Sequence, residues 1–184
     1  MSLRIIAGGW RGRKLVTPTG DTTRPTADRT RETLFSMLVS RLGSFEGLAV
    51  ADLFAGSGAL GIEALSRGAA TCVFVEQDAA AIRALRSNIA NLQTASACDV
   101  RASSVLSLGP AKAPLDLVLL DPPYGTSAGE VALDKLQRLG WIGPATWISL
   151  ETAATEDPKI KGLETMADRK VGKAKITLLR ASPA

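Results

Sequence analysis

Leu48-Ala49-Val50-Ala51-Asp52-Leu53-Phe54-Ala55-Gly56-Ser57-Gly58-Ala59-Leu60-Gly61 is the stretch that decides the fold. Leu48–Phe54 is a mostly apolar run of strand length. Gly56 and Gly58 then let the backbone turn sharply, and a helix is expected to run on to about Arg67. Downstream the same alternation repeats. Thr71–Val75 reads as a strand, and Asp78–Leu92 as a helix with Ile82, Leu85 and Ile89 on one face. A weaker strand is expected over Ala97–Arg101. Leu115–Leu120 is apolar on both faces, as a buried parallel strand should be. A helix over Val131–Leu139 and a strand over Thr146–Leu150 follow. The chain then ends in a hairpin, Leu163–Arg169 and Lys175–Arg180, turning at Val171-Gly172-Lys173. Upstream, Leu3–Ala7 and Arg13–Val16 read as two short strands around Gly8, Gly9 and Gly12. Pro25-Thr26-Ala27-Asp28 opens a helix that ends at Gly43. Strands alternating with helices imply a doubly wound α/β sheet. Residues 43–184 form its body, with 1–42 as a hairpin-plus-helix extension of the same domain.

Gly56-Ser57-Gly58-Ala59-Leu60-Gly61 fits the GxGxxG pattern between a strand and a helix. Glu76, ending the next strand, is placed to accept hydrogen bonds from two ribose hydroxyls. Both features suit an adenosine-type ligand, and both would suit a dinucleotide. Asp52, four residues before the first glycine, would repel a pyrophosphate and attract the ammonium of S-adenosylmethionine, directly or through water. It could equally brace the loop. The chain has no Walker A motif, which argues against nucleotide hydrolysis.

Asp121-Pro122-Pro123-Tyr124 follows directly on the fourth of these main-sheet strands, at the edge where such sheets bind ligands. An exocyclic purine amine is a poor nucleophile, because its lone pair is delocalised into the ring. The Asp121 carboxylate and the Pro122 carbonyl can hold both amino hydrogens and turn the nitrogen toward a sulfonium methyl. Pro122 and Pro123 add no competing N–H, and Tyr124 offers a flat face for the base. Asp121 is expected to stay ionised near its ordinary pKa of about 3.9 and to receive the proton. This pattern points to methylation of an amino nitrogen. It does not choose between guanine, adenine and glutamine.

Composition narrows the partners. The 184 residues are 46% hydrophobic and 22% charged, with no histidine and only Cys72 and Cys98 as cysteines. A zinc site, a disulfide framework and a Ser–His or Cys–His mechanism are thereby excluded. No run approaches the roughly 18 apolar residues of a membrane span, the N-terminus lacks a signal-peptide pattern, and reducing cytoplasm is the expected compartment. Residues 1–41 carry a net charge of +5 and the remainder −1. That asymmetry suggests a polyanion docked at one edge. Arg11, Arg13 and Lys14 flank Trp10 in the glycine-rich hairpin, a combination suited to phosphate contacts and base stacking. Trp10 could equally anchor the hairpin on the core. Trp141 and Trp147 are expected in the core.

Taken together the motifs resemble the RsmD family of 16S rRNA guanine-N2 methyltransferases. The resemblance is carried by Arg4-Ile5-Ile6-Ala7-Gly8, Trp10-Arg11-Gly12-Arg13-Lys14-Leu15, Arg24-Pro25-Thr26-Ala27-Asp28-Arg29 and Arg31-Glu32-Thr33-Leu34-Phe35. It continues through Phe54–Gly61, Glu63-Ala64-Leu65-Ser66-Arg67 and the tetrapeptide, so it spans nearly the whole chain. It implies a class I, Rossmann-like S-adenosylmethionine-dependent methyltransferase sheet that ends in two antiparallel strands. It implies a substrate, guanine 966 (rRNA numbering) of 16S rRNA, within an assembling 30S particle. Nothing in the sequence suggests an obligate dimer, so a monomer is expected, and no metal is expected. Asp121, Pro122, Pro123 and Tyr124 would be catalytic. Asp52, Phe54, Ala55, Gly56, Gly58, Glu76, Gln77, Ser103, Ser104 and Asp121 would hold the cofactor. Arg4, Trp10, Arg11, Arg13, Lys14, Arg24, Thr26, Arg29 and Arg31 would meet RNA. At Ser103-Ser104 the chain departs from the family, which commonly has Asn or Asp followed by Ala near the adenine amino group. Three other readings compete: an RNA-binding assembly factor with S-adenosylmethionine only as ligand, an amino methyltransferase acting on adenine or glutamine, and a nicotinamide-dependent oxidoreductase.

Overall fold

The computed structural model describes residues 3–18 and 25–183, the side chains of Pro25 and Thr26 excepted. Its elements in chain order are β1 (Leu3–Arg4), β2 (Lys14–Leu15), α1 (Pro25–Leu42), β3 (Ala49–Leu53), α2 (Ala59–Ser66), β4 (Thr71–Glu76), α3 (Ala79–Asn91), β5 (Cys98–Ala102), β6 (Leu117–Leu120), α4 (Ala128–Arg138), β7 (Trp147–Ala153), β8 (Leu163–Val171) and β9 (Ala174–Ala181). The order in the main sheet is β5-β4-β3-β6-β7-β9-β8. The first five of these strands are parallel, and β9 runs antiparallel to both its neighbours. This is the class I methyltransferase sheet, Rossmann-like, with the antiparallel pair at the end of the chain.

One core, on the face carrying α1 to α3, is built from Phe35, Leu38, Ile62, Phe74, Leu85 and Leu119. The other holds Leu53, Val75, Leu120, Leu133, Leu136 and Leu150. The apolar stripes of the helices therefore seal both faces of the central strands, of which β6 is apolar and buried throughout. Trp141 lies in the second core, its Nε1–H donating to the Gly109 carbonyl at 2.8 Å. Trp147 is only half-buried, with the guanidinium of Arg180 4.7 Å from its ring. Among the described residues no helix is long and apolar enough to cross a membrane.

Sheet register aligns the strand ends at the carboxyl edge. Leu53 pairs with Val75 and with Leu120, and Leu120 pairs with Leu150. The residue after each of these four is therefore Phe54, Glu76, Asp121 or Glu151, and the four form one row across that edge. A strand spacing of about 4.8 Å brings neighbours in the row within side-chain reach.

Several elements differ from expectation. The N-terminal strands are two residues each, because the Ile6 and Ala7 N–H groups donate to the Glu63 carboxylate instead of a ladder. At Gly8 (φ +88°) a Cβ would lie 1.9 Å from the Ser66 carbonyl oxygen, so only glycine lets this backbone rest on the end of α2. α4 begins three residues early, at Ala128. Gly129 makes this possible, since a Cβ there would strike Leu150 at 2.6 Å. β7 continues to Ala153 because its pairing with β9 extends to Ala153–Ala174. That extension takes Glu151 into the sheet.

Candidate active site

Two lobes open along the carboxyl edge. One, of about 770 Å³, lies over the glycine loop between Asp28, Arg31, Asp52, Gly56 and Leu60. The other, of about 440 Å³, is bounded by Gln77, Ser103, Ser104, Val105 and Asp121–Tyr124. They share the row of Phe54, Glu76, Asp121 and Glu151 as their common floor. The sheet register thus turns four separate stretches of sequence into one crevice.

The loop residues are fixed by the carboxylates around them. Glu76 Oε1 accepts the Gly56 N–H at 2.8 Å, and its Oε2 accepts those of Gln77 and Asp78. Asp52 is buried, and its Oδ2 accepts the Gly61 N–H at 2.8 Å, bracing the first turn of α2. Its Oδ1 is buried without a partner among the described residues. Desolvation pushes the Asp52 carboxyl well above the ordinary carboxylate range. Phe54 holds a left-handed conformation, φ +59°, unusual for an aromatic residue and typical of backbone strained at a binding site. Ala55 is buried, with its N–H on the Val75 carbonyl. Gly58, also left-handed, has no room for a side chain: a Cβ would meet Leu85 at 2.4 Å. Ser104 caps a short 3-10 turn through the Leu106 N–H at 3.2 Å.

These residues fit S-adenosylmethionine. The wide lobe contains a buried carboxylate oxygen and, in Arg31, guanidinium Nε and Nη1 without described partners. A buried carboxyl acceptor and buried guanidinium donors left without described partners suit the ammonium and carboxylate of an amino-acid tail. Glu76 lies between the lobes, where ribose hydroxyls could replace part of its backbone bonding. The narrower lobe, lined by Val75, Val105 and the two serines, is partly apolar and partly polar, which suits an adenine.

The tetrapeptide loop is held at three points. Pro122 is buried beside Gly129, the Thr126 hydroxyl donates to the Pro123 carbonyl at 2.8 Å, and Glu156 accepts the N–H groups of Gly125 and Ala153. The Pro122 carbonyl receives no hydrogen bond from the described residues and stays available as an acceptor. Tyr124 is exposed, and its hydroxyl donates to Glu151 Oε2 at 2.5 Å. Burial, and then that bond, push its phenol above the ordinary range.

Asp121 departs from the expectation of an ordinary carboxylate. The residue is exposed at the crevice mouth, yet neighbouring protein atoms desolvate its carboxyl group. That burial first, then the charge and hydrogen-bond contact of Glu151, raise its pKa to about 7. Glu151 has no counterpart among the residues expected from sequence. Its signal was available: a lone acid at the end of an apolar strand, in the strand position next to the tetrapeptide.

The basic N-terminal segment is stitched to α2 and α3. Glu63, fully buried, accepts from Ile6 N, Ala7 N and Arg67 Nε at 2.8, 3.0 and 2.9 Å. Ser66 Oγ accepts the Trp10 N–H, and Asn88 binds both backbone groups of Val16. Arg11, Arg13, Lys14 and Arg29 are exposed, as is Arg4, whose Nη1 donates to the Gly12 carbonyl. Trp10 is half-buried against the core, which supports the anchoring alternative for it. Arg31 requires correction as a surface contact. It is 6% exposed, and it donates to the Arg4 carbonyl at 2.5 Å and lies 3.8 Å from Asp28, with burial lowering its pKa. Its place is the crevice wall. Arg24 lies outside the described residues, and so does the Thr26 side chain.

Known proteins resemble this chain in sequence and fold. The sequence profile of a family described as Conserved hypothetical protein 95 matches residues 3–180. The ribosomal RNA small subunit methyltransferase D of Escherichia coli K12 is 40% identical over 150 residues, 82% of this chain and 74% of that protein. Its namesake in Haemophilus influenzae is 42% identical over 158 residues, 82% and 78% of the two chains. The solved structure of yhhF from Escherichia coli superposes with a TM-score of 0.85, at 34% identity and 98% coverage of each chain. With the profile matching almost end to end, and relatives of this similarity bearing that name, the chain belongs to the RsmD family.

Proposed function

We propose that this chain transfers a methyl group from S-adenosylmethionine to the N2 amine of a guanine in 16S rRNA. Guanine 966 (rRNA numbering) is the proposed target, and the enzyme acts in the cytoplasm as a monomer on an assembling 30S particle. The observation that carries the reading is the place of Asp121-Pro122-Pro123-Tyr124. It sits on the shared floor of two lobes whose residues fit the methyl donor, in a family whose named members modify small-subunit rRNA.

The bound donor supplies an electrophilic methyl on a sulfonium. The chain's own residues do the rest. Tyr124 takes the base on its ring, and Asp121 and the Pro122 carbonyl accept the two amino hydrogens and present the nitrogen in line. Holding nucleophile and methyl carbon about 3–3.5 Å apart supplies much of the acceleration. As the N–C bond forms and the C–S bond breaks, the amine becomes strongly acidic and its proton passes to Asp121 and on to solvent. Incubation with labelled donor and 16S rRNA tests this reading. Label should move to the RNA, and RNA left unlabelled would contradict it.

The exposed cations Arg11, Arg13 and Lys14 are proposed to meet RNA phosphates. Three such contacts to single-stranded RNA predict a slope of log affinity against log salt of about −2. Removing residues 3–16 would not test this cleanly, because Ile5 and Leu15 belong to the core. The combined variant Arg11→Ala, Arg13→Ala, Lys14→Ala keeps that core. It should weaken binding at low salt and flatten the slope by about 2. An unchanged slope would place the RNA elsewhere.

A further inference from the structure

Glu151 is the one member of the crevice floor to which methyl transfer assigns no task. It stands beside Asp121 on the adjacent parallel strand, one step beyond the Leu120–Leu150 pair. Its Oε2 is fixed by the Tyr124 hydroxyl, and the carboxyl group contacts Asp121. Two carboxyl groups side by side, one of them also bonded to Tyr124, present adjacent acceptors to the crevice.

Guanine presents a complementary pair. On its Watson–Crick edge the N1–H lies next to the N2 amine, so two donors point the same way. Adenine does not: beside its amine, the ring N1 is an acceptor. We propose that Glu151 accepts the N1–H of the target guanine, making the Asp121–Glu151 pair the element that selects guanine among purines. This rests on the guanine-N2 reading and deepens it. The same carboxylate steadies Tyr124, so the surface that stacks the base and the group that reads its edge share one anchor. A purine with a bare N1 would turn a lone pair toward a carboxylate and leave that acceptor unpaired, the kind of mismatch by which hydrogen-bonding sites reject analogues.

The test uses short RNAs with guanine or 2-aminopurine at the target position. 2-Aminopurine keeps the amine at C2 but has no hydrogen on N1. Methyl transfer to the 2-amino group is measured as kcat/KM for wild type, Glu151→Gln and Glu151→Ala. The wild type should favour guanine by about 100-fold or more. Glutamine can still accept from Tyr124 and can also turn a donor toward N1, so Glu151→Gln should narrow the preference at least about tenfold. Glu151→Ala should slow both substrates and narrow it as well. Loss of the O6 group in 2-aminopurine affects all three proteins alike and cancels between them. A preference that stays the same in both variants overturns the proposal and leaves Glu151 as a brace for Tyr124, with guanine methylation intact. No transfer by the wild type to guanine N2 overturns the functional reading and this inference together.

Discussion

Asp121→Asn is expected to lower methyl transfer about a thousand-fold while leaving the thermal midpoint within a few degrees of wild type. The side chain faces the crevice rather than either core, so the fold does not depend on it. Asparagine keeps the shape but can turn an N–H toward the amine, and it cannot take up the proton released by alkylation. The pH profile gives a second readout. Burial and Glu151 raise the Asp121 carboxyl to about 7, so in the free protein it is increasingly protonated below that value. The acid form offers a donor where the amine needs an acceptor. Wild-type kcat/KM should therefore climb with pH to about 7 and then level. Glu151→Gln removes the neighbouring negative charge and should shift that rise to lower pH. Transfer by Asp121→Asn within threefold of wild type would remove Asp121 from the chemistry.

Glu63→Ala should destabilise the protein by about 3–5 kcal/mol, the usual consequence of deleting one partner of a buried ion pair. Arg67, 15% exposed, would lose its carboxylate, and the N–H groups of Ile6 and Ala7 would lose their acceptor. Arg67 also packs 4.8 Å from the Phe35 ring, so the disturbance reaches α1. For a chain of this size the thermal midpoint should fall by roughly 10 °C. The hairpin carrying Arg11, Arg13 and Lys14 should loosen from α2, which protection of the Ile6 and Ala7 amides against hydrogen exchange would report. A loss below about 1 kcal/mol, with those amides still protected, would mean that Glu63 does not hold the segment.

What could be read from the sequence was local. The glycine loop, Glu76 and Asp121–Tyr124 are signalled by neighbours within a few residues, and the strand–helix alternation that orders them needs no long-range information. Glu63 and Glu151 depend on distant partners. Glu63 sits among Leu60, Ile62, Ala64 and Leu65 and looks like the polar face of a helix. Only the return of residues 6 and 7, 57 and 56 positions earlier, buries it. Its i,i+4 spacing to Arg67 was the available clue. Glu151 meets Tyr124 across 27 residues because β6 and β7 lie side by side in the sheet. The raised Asp121 pKa was illegible for the same reason, since the burial that raises it first and the Glu151 charge that raises it further both come from elements distant in sequence. Arg31 looked like one more cation in a basic segment, but helical phase turns it inward beside Leu34 and Phe35, which are also buried.

Nucleoside analysis of methylated 16S rRNA tests the central claim most directly. The RNA is treated with enzyme and labelled S-adenosylmethionine, digested to nucleosides and separated. The account predicts label in N2-methylguanosine. Label in a methyladenosine, or in a guanosine methylated at another atom, would contradict it.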